Sequence, residues 1–187
     1  MRVQKFFSND DYYLLRQHMY KHAKNVISNL KQTSAVLEIG PSSSVYNEKI
    51  EEYNTSIISK FCKDNSIQYE TLDIAGNANY IGSIENMEFI NKKFDIIIAL
   101  GVLEHVANIF SVPSQIYNHL NDFGKFFVNV PFLFKVHGPI PDYWRISEFG
   151  FKYLFSDKFN LEFDSCPENE FGKNSFPLSL NIICVKK

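Results

Sequence analysis

Two histidines in the middle of the chain, His105 and His137, are the side chains best suited to accept a proton near neutral pH. Each has charged company: Glu104 precedes His105, and Asp142 and Arg145 follow His137. Each also has a plain structural reading. His105 either acts as a base or hydrogen-bonds neighbouring loops. His137, the better base of the two, either takes a proton or orders the loop around Pro139 and Pro141. Asp142 orients a histidine, contacts an acceptor hydroxyl, or caps the turn after Pro141. Arg145 either clamps an anionic acceptor through its planar fork or pairs with Asp142 or Glu148. Tyr143 and Trp144 either line an acceptor pocket or anchor a core. His18, His22 and His119 fall on expected helices and read as surface or packing residues.

The residues with chemistry sit just after runs of strand character. Ala35 to Ile39 is a short apolar run that enters a Gly-Pro-Ser-Ser-Ser turn, so Glu38 and Gly40 lie at its end. Gln68 to Ile74 is a second strand, ending near Asp73. Phe94 to Leu100 is a third, with Ile96, Ile97 and Ile98 in succession as for a strand covered on both faces. Gly101 to His105 follow it. Lys125 to Val130 is a fourth, leading into Pro131 to Arg145. Helices are predicted from Asp11 to about Lys31, around Ile50, Ile57, Ile58, Phe61 and Cys62, over Ser111 to Leu120, and over Phe149 to Phe155. Leu161 to Asp164 and Leu180 to Val185 read as an antiparallel hairpin at the sheet edge. The pattern predicts an α/β fold: a Rossmann-like, doubly wound, mostly parallel sheet with a C-terminal antiparallel hairpin. In such a sheet ligands bind beyond the carboxyl ends of the strands, where these residues fall.

The chain's 187 residues favour one domain spanning residues 1–187. Hydrophobic residues at 45% and charged residues at 21% fit a globular core. A net charge of −2 gives no electrostatic footprint for nucleic acid, so none is expected as a partner. No apolar stretch approaches the roughly 20 residues of a membrane-spanning helix. Residues 1–9 lead into Asp10 and Asp11 instead of an apolar signal segment. Cys62, Cys166 and Cys184 are odd in number and lack C-x-x-C spacing, so neither a disulfide framework nor a zinc knuckle is expected. The location implied is reducing and cytoplasmic.

The string Val36-Leu37-Glu38-Ile39-Gly40-Pro41-Ser42, then Leu72-Asp73-Ile74, then Phe94 to Val106 including Leu103-Glu104-His105, resembles class I S-adenosylmethionine-dependent methyltransferases. Val130-Pro131-Phe132, His137, Pro139 and Asp142-Tyr143-Trp144-Arg145 resemble the small type-11-like branch. The resemblance covers roughly residues 34–155. It implies S-adenosylmethionine as cofactor, with Glu38 near its amino-acid portion and Gly40, Pro41 and Ser42 forming the turn against it. Asp73 would accept both ribose hydroxyl protons, Ser83 and Glu85 would contact adenine, and Leu100 and Gly101 complete the set. The family's first motif commonly runs acidic-x-Gly-x-Gly-x-Gly, whereas this chain keeps Gly40 and carries Ser42 and Ser44. A dinucleotide site would need G-x-G-x-x-G against pyrophosphate, which the chain lacks.

A hydroxyl acceptor needs a proton sink, for which His137, His105 and Asp142 are the candidates; Tyr143, Trp144 and Arg145 are the acceptor-binding candidates. By resemblance the acceptor is a small polar molecule such as a surface-glycan precursor, a sugar, phosphorylated sugar or phosphoramidate group, methylated on oxygen. The alternative is a non-catalytic cofactor-binding relative or a partner subunit of another methyltransferase. The helix at about 10–31 and the Pro131 to Arg145 loop would wall the pocket. Glu104 and Asp95 suggest a paired-carboxylate site, but strand and helix breaks separate them; no metal is expected, because the clustered carboxylate and Asn set of a metal-dependent catechol type does not assemble.

Overall fold

A computed structural model describes residues 19–41, 56–165 and 177–187. Residues 19–27 form the described part of helix α1. There follow β1 (Ala35–Ile39), α2 (Ser56–Asp64), β2 (Gln68–Asp73), β3 (Tyr80–Ile81), β4 (Phe94–Leu100), a short 3₁₀ turn (Leu103–His105), α3 (Val112–His119), β5 (Leu120–Pro131), α4 (Glu148–Phe155), β6 (Phe159–Ser165) and β7 (Ser179–Lys186). The seven strands form one sheet in the order β3-β2-β1-β4-β5-β7-β6. β1 to β5 run parallel, and β7 pairs antiparallel with both β5 and β6. The doubly wound sheet with its antiparallel C-terminal strands is thus the fold the pattern predicts.

The unbroken isoleucines of β4 work as the two-residue strand period requires. Ile97 and Ala99 join Leu37, Ile39, Phe126 and Val128 in one core, under α3 and α4. Ile96 and Ile98 join Val36 and Phe127 in a second core on the other face. Met19, Tyr20, Ala23 and Ile27 of α1 and Ile58 and Cys62 of α2 cover that second face. α1 therefore packs on the sheet through its described length, and His22 pairs with Asp164 at 2.7 Å. Its residues before 19, and Ile50, lie outside the described residues.

Local chemistry accounts for several boundaries. Ser147 caps α4, its Oγ accepting from Gly150 N at 3.2 Å, so the helix starts at Glu148, one residue before the sequence prediction. β5 begins at Leu120, ahead of the expected Lys125, because the strand pairs with β4 again before a register irregularity, where Phe123 adopts φ 61°. The two-residue β3 carries no periodicity and was not expected. The predicted terminal hairpin forms, but only β6 is the edge; β7 is paired on both sides. Reading outward from β1, the chain goes to β2 on one side and to β4 on the other, which creates the switch point where a crevice opens.

Candidate functional site

At the carboxyl ends of β1, β2 and β4 lies a cavity of about 380 Å³, within the range of small-molecule sites. Its described wall includes Asp73 after β2, Gly40 after β1, and Gly101 and His105 after β4. Ser83 and Glu85 approach from beyond β3, and Tyr143 from the loop after β5. Because the sheet order is β2-β1-β4, Asp73 and His105 stand on opposite flanks of the Gly40 turn.

The turn needs its glycine. Gly40 has φ +66°, and a Cβ there would lie 2.7 Å from Val102 Cγ2. The first flank combines polar groups with buried apolar wall from Ile84 and Val106. Asp73 Oδ1 accepts weakly from Ala75 N at 3.4 Å. Ser83 Oγ accepts from Glu85 N and donates to Glu85 Oε2, both at 3.1 Å, while Asn108 N donates to Glu85 Oε1.

The second flank is built on the 3₁₀ turn. Glu104 is only 2% exposed, and burial pushes its carboxyl up to about 8. Its Oε1 lies 3.6 Å from His137 Nε2 and 3.9 Å from His105 Nε2. Its Oε2 has no hydrogen-bond partner. His105 Nδ1 lies 3.0 Å from Pro141 O, and a carbonyl only accepts, so the ring proton sits on Nδ1. His137 Nδ1 faces two acceptors, Asp142 Oδ2 at 3.1 Å and Lys135 O at 3.3 Å, which puts its proton there too. Burial holds His137 below the usual imidazole range. Both rings thus present Nε2 lone pairs, and the rings meet edge to face at 5.1 Å. The Asp142 to Arg145 segment is tied down by Tyr143 N and Trp144 N, which both donate to Glu104 O.

Several sequence expectations need revision. Glu38 is not among the cavity's lining residues. It alternates with Leu37 and Ile39, faces the second core, and accepts from Tyr69 Oη at 2.6 Å. Burial pushes its carboxyl up to about 7. Leu100 packs on that same second core. Pro41 is not a lining residue, and Ser42 and Ser44 lie outside the described residues. Trp144 takes the anchoring reading, its indole donating to Val106 O at 2.7 Å. Arg145 takes the ion-pair reading. Its Nη1 and Nη2 grip Asp142 Oδ1 and Oδ2 at 2.5 and 2.8 Å, and its other donors reach Phe134 O, Trp144 O and Lys135 O. All five guanidinium donors are therefore used within the protein. That grip holds Asp142, whose side chain has no exposed surface, well below the usual carboxylate range. His137 stands behind the wall, and His105 is the histidine on it.

The residue missed by sequence reasoning is Glu104 in its own right. The carboxylate paired with it in the sequence pattern, Asp95, sits at the opposite end of β4 and accepts from Ala35 N and Asn121 Nδ2, each at 2.8 Å. The available signal was a carboxylate directly after a strand buried on both faces, beside a histidine. Among the described residues, Glu104, His105 and His137 each offer one donor atom within 4.8 Å of the others, a grouping that differs from the carboxylate and Asn set of the catechol type.

No protein-family model and no curated protein matches the chain. Solved structures do. A SAM-dependent methyltransferase from Archaeoglobus fulgidus superposes with TM-score 0.65 at 16% identity, covering 94% of this chain and 100% of that one. A putative methyltransferase in complex with the Haloferax volcanii Trm112 methyltransferase activator gives 0.64 at 15%, with 92% of each chain covered. Magnesium protoporphyrin IX methyltransferase from Synechocystis PCC 6803, with bound SAM, gives 0.63 at 13%, covering 100% of this chain and 86% of that one. The chain has the fold of the S-adenosylmethionine-dependent methyltransferases. No helix among its described residues is long and apolar enough to cross a membrane.

Proposed function

We propose, proceeding from the methyltransferase fold, that this protein uses S-adenosylmethionine to methylate an oxygen of a small polar acceptor. The observation that carries the reading is one cavity with two chemically different flanks: Asp73, Ser83 and Glu85 on one, His105 with Glu104 and His137 behind it on the other. The first flank fits the cofactor. Gly40, without a Cβ, closes its turn against Val102 and leaves bare backbone on the cavity wall, and no phosphate cradle is needed. Asp73 is placed to accept from a ribose diol, and Ile84 and Val106 offer an apolar surface to adenine beside Ser83 and Glu85.

When bound, S-adenosylmethionine supplies an electrophilic methyl carbon. The chain's own work is to position the acceptor, exclude water and dispose of the hydroxyl proton. Tyr143, half exposed on the cavity wall, orients the acceptor in this reading. The Glu104–His105–His137 cluster is the proton-handling site, with His105 Nε2 at the wall. Asp142 is a positioning residue: it accepts from His137 N at 3.0 Å and fixes the ring's proton on Nδ1, while Arg145 fixes Asp142.

A glycan precursor remains the favoured acceptor, on the support of the His, Pro, Asp-Tyr-Trp-Arg resemblance. Since Arg145 has no donor left for an anion, the hydroxyl-rich sugar is favoured over the phosphorylated one. Calorimetry with S-adenosylmethionine tests the first half. Screening of neutral and phosphorylated sugars for a methyl mass gain tests the second. Absence of cofactor binding by the folded protein removes the reading, and mass gain on phosphorylated sugars alone removes the neutral-sugar preference.

A further inference from the structure

We infer that Glu104, His105 and His137 form a ligand set for one divalent transition cation of the zinc class, with its open position toward the cavity. The inference deepens the methyltransferase reading, on which it rests for the cation's use although not for its binding.

Three independent features converge. The first is donor direction: Pro141 O on one ring and Asp142 with Lys135 O on the other occupy both Nδ1 sites, so both Nε2 lone pairs are free to ligate. Imidazole ligands of metals are held in this way, by a carbonyl or carboxylate on the second nitrogen. Asp142 is itself gripped by Arg145 from two sides, a further layer of support.

The second feature is spacing. Separations of 3.6 and 3.9 Å between Glu104 Oε1 and the two Nε2 atoms are too long for hydrogen bonds. They lie near the roughly 3.3 Å between ligands that sit 2.0–2.1 Å from a tetrahedral centre. All three donor atoms lie within 4.8 Å of one another, so sharing one centre requires the two imidazoles to swing toward each other by up to about 1.5 Å. The third is the orphan oxygen. Glu104 is 2% exposed and its Oε2 has no partner, although buried polar atoms are nearly always satisfied. A cation beside the carboxylate adds counter-charge at close range, beyond the Arg145 guanidinium, which is already committed to Asp142.

A His₂Glu set leaves a fourth position, the arrangement of catalytic zinc centres rather than closed structural ones. Gly101, whose missing Cβ would stand 3.4 Å from Glu104 Oε1, and His105 both belong to the cavity wall, so the fourth position opens there. A cation so placed acts as a Lewis acid on an entering hydroxyl. It lowers that hydroxyl's pKa, the proton passes to water, and His105 and His137 serve as ligands instead of proton acceptors.

The test uses the full-length chain, stripped with a chelator and checked for folding by circular dichroism. Zn²⁺ is titrated in competition with a chromophoric chelator, and Co²⁺ is followed through its visible ligand-field bands. We expect one equivalent of either ion per chain, with nitrogen and oxygen ligation. Glu104→Gln and His137→Gln should each abolish stoichiometric uptake. Asp142→Asn should weaken uptake about 10- to 100-fold by loosening His137. His22→Ala should bind as wild type does. If Glu104→Gln fails to fold, the graded Asp142→Asn variant carries the test. No uptake by folded wild type overturns the site, as does undiminished uptake by the folded cluster variants. Calorimetry with S-adenosylmethionine on the stripped protein separates the two ideas: cofactor binding without Zn²⁺ uptake sinks only the cation site, and Zn²⁺ uptake without cofactor binding sinks only the methyltransferase reading.

Discussion

Glu38 and Glu104 are both glutamates at 2% exposure, both near the carboxyl ends of central strands, and both have their carboxyls raised by burial. They differ in what surrounds the oxygens. Glu38 faces the second core and receives a 2.6 Å hydrogen bond from Tyr69, inside a layer closed by α1 and α2. Glu104 faces two imidazole lone pairs beside a cavity and keeps one oxygen without a partner. Burial alone therefore does not mark a functional acid. The proposed role of Glu104 rests instead on an incomplete set of partners next to an opening, since buried polar atoms are nearly always satisfied.

The largest effect should come from Glu104. Glu104→Gln keeps the shape and removes the ionisable carboxyl, and should lower methyl transfer by roughly 10²- to 10⁴-fold. Product mass gain over time, on protein shown to be folded, measures it. Turnover within tenfold of wild type would erase the contrast with Glu38.

Glu38 should act on stability, with a defined pH sense. Its folded-state carboxyl titrates near 7 against an ordinary value of 4.5, so between these values the folded state holds a proton that the unfolded state has released. The stabilisation is fully present below about pH 4.5 and is lost as pH rises through about 7. At about 1.4 kcal/mol per pH unit, the loss amounts to about 3 kcal/mol. Urea unfolding at a series of pH values should show this decline in wild type and a shallower one in Glu38→Gln. Glu104 contributes in the same direction, so the difference between the two proteins isolates Glu38. Parallel pH profiles would mean that Glu38 is not held neutral.

Asp73 probes the flank opposite Glu104. Asp73→Ala should weaken S-adenosylmethionine about 10- to 100-fold, equivalent to about 1.5–3 kcal/mol for hydrogen bonds to a charged group. Calorimetry reads this directly, and unchanged affinity would remove Asp73 from the ribose role. The smallest effect is expected at Gly101, beneath Glu104. With φ +66° and only ordinary contact to Glu104 Oε1, Gly101→Ala should cost about 1–2 kcal/mol of stability through backbone strain. A thermal melt unchanged from wild type would show that this turn tolerates a side chain.

Much of the fold was legible because it is written in local patterns. The isoleucine run at 96–98 identified a strand covered on both faces, and its bounds, Phe94–Leu100, are those observed. The two-residue β3 and the early start of β5 were hidden, since both depend on pairing with a neighbouring strand rather than on side-chain periodicity. The site was legible as a place, the strand ends, and less so as roles. Arg145 and Trp144 had two readings each, and the choice lay in partners supplied by Phe134, Lys135 and Val106, none of which is marked in the sequence.

The sequence by itself determined the sheet's alternating faces, the glycine turn at Gly40 and the succession of acids and histidines after the strands, because these follow from two-residue periodicity and backbone sterics. Only the tertiary structure decided that Glu38 is enclosed with Tyr69 while Glu104 meets His105 and His137. His137 lies more than 30 residues beyond Glu104 in the chain, and its approach is fixed by the Asp142–Arg145 clasp and the backbone bonds to Glu104 O. Convergence of that kind arises from packing between distant segments, and no local pattern encodes it.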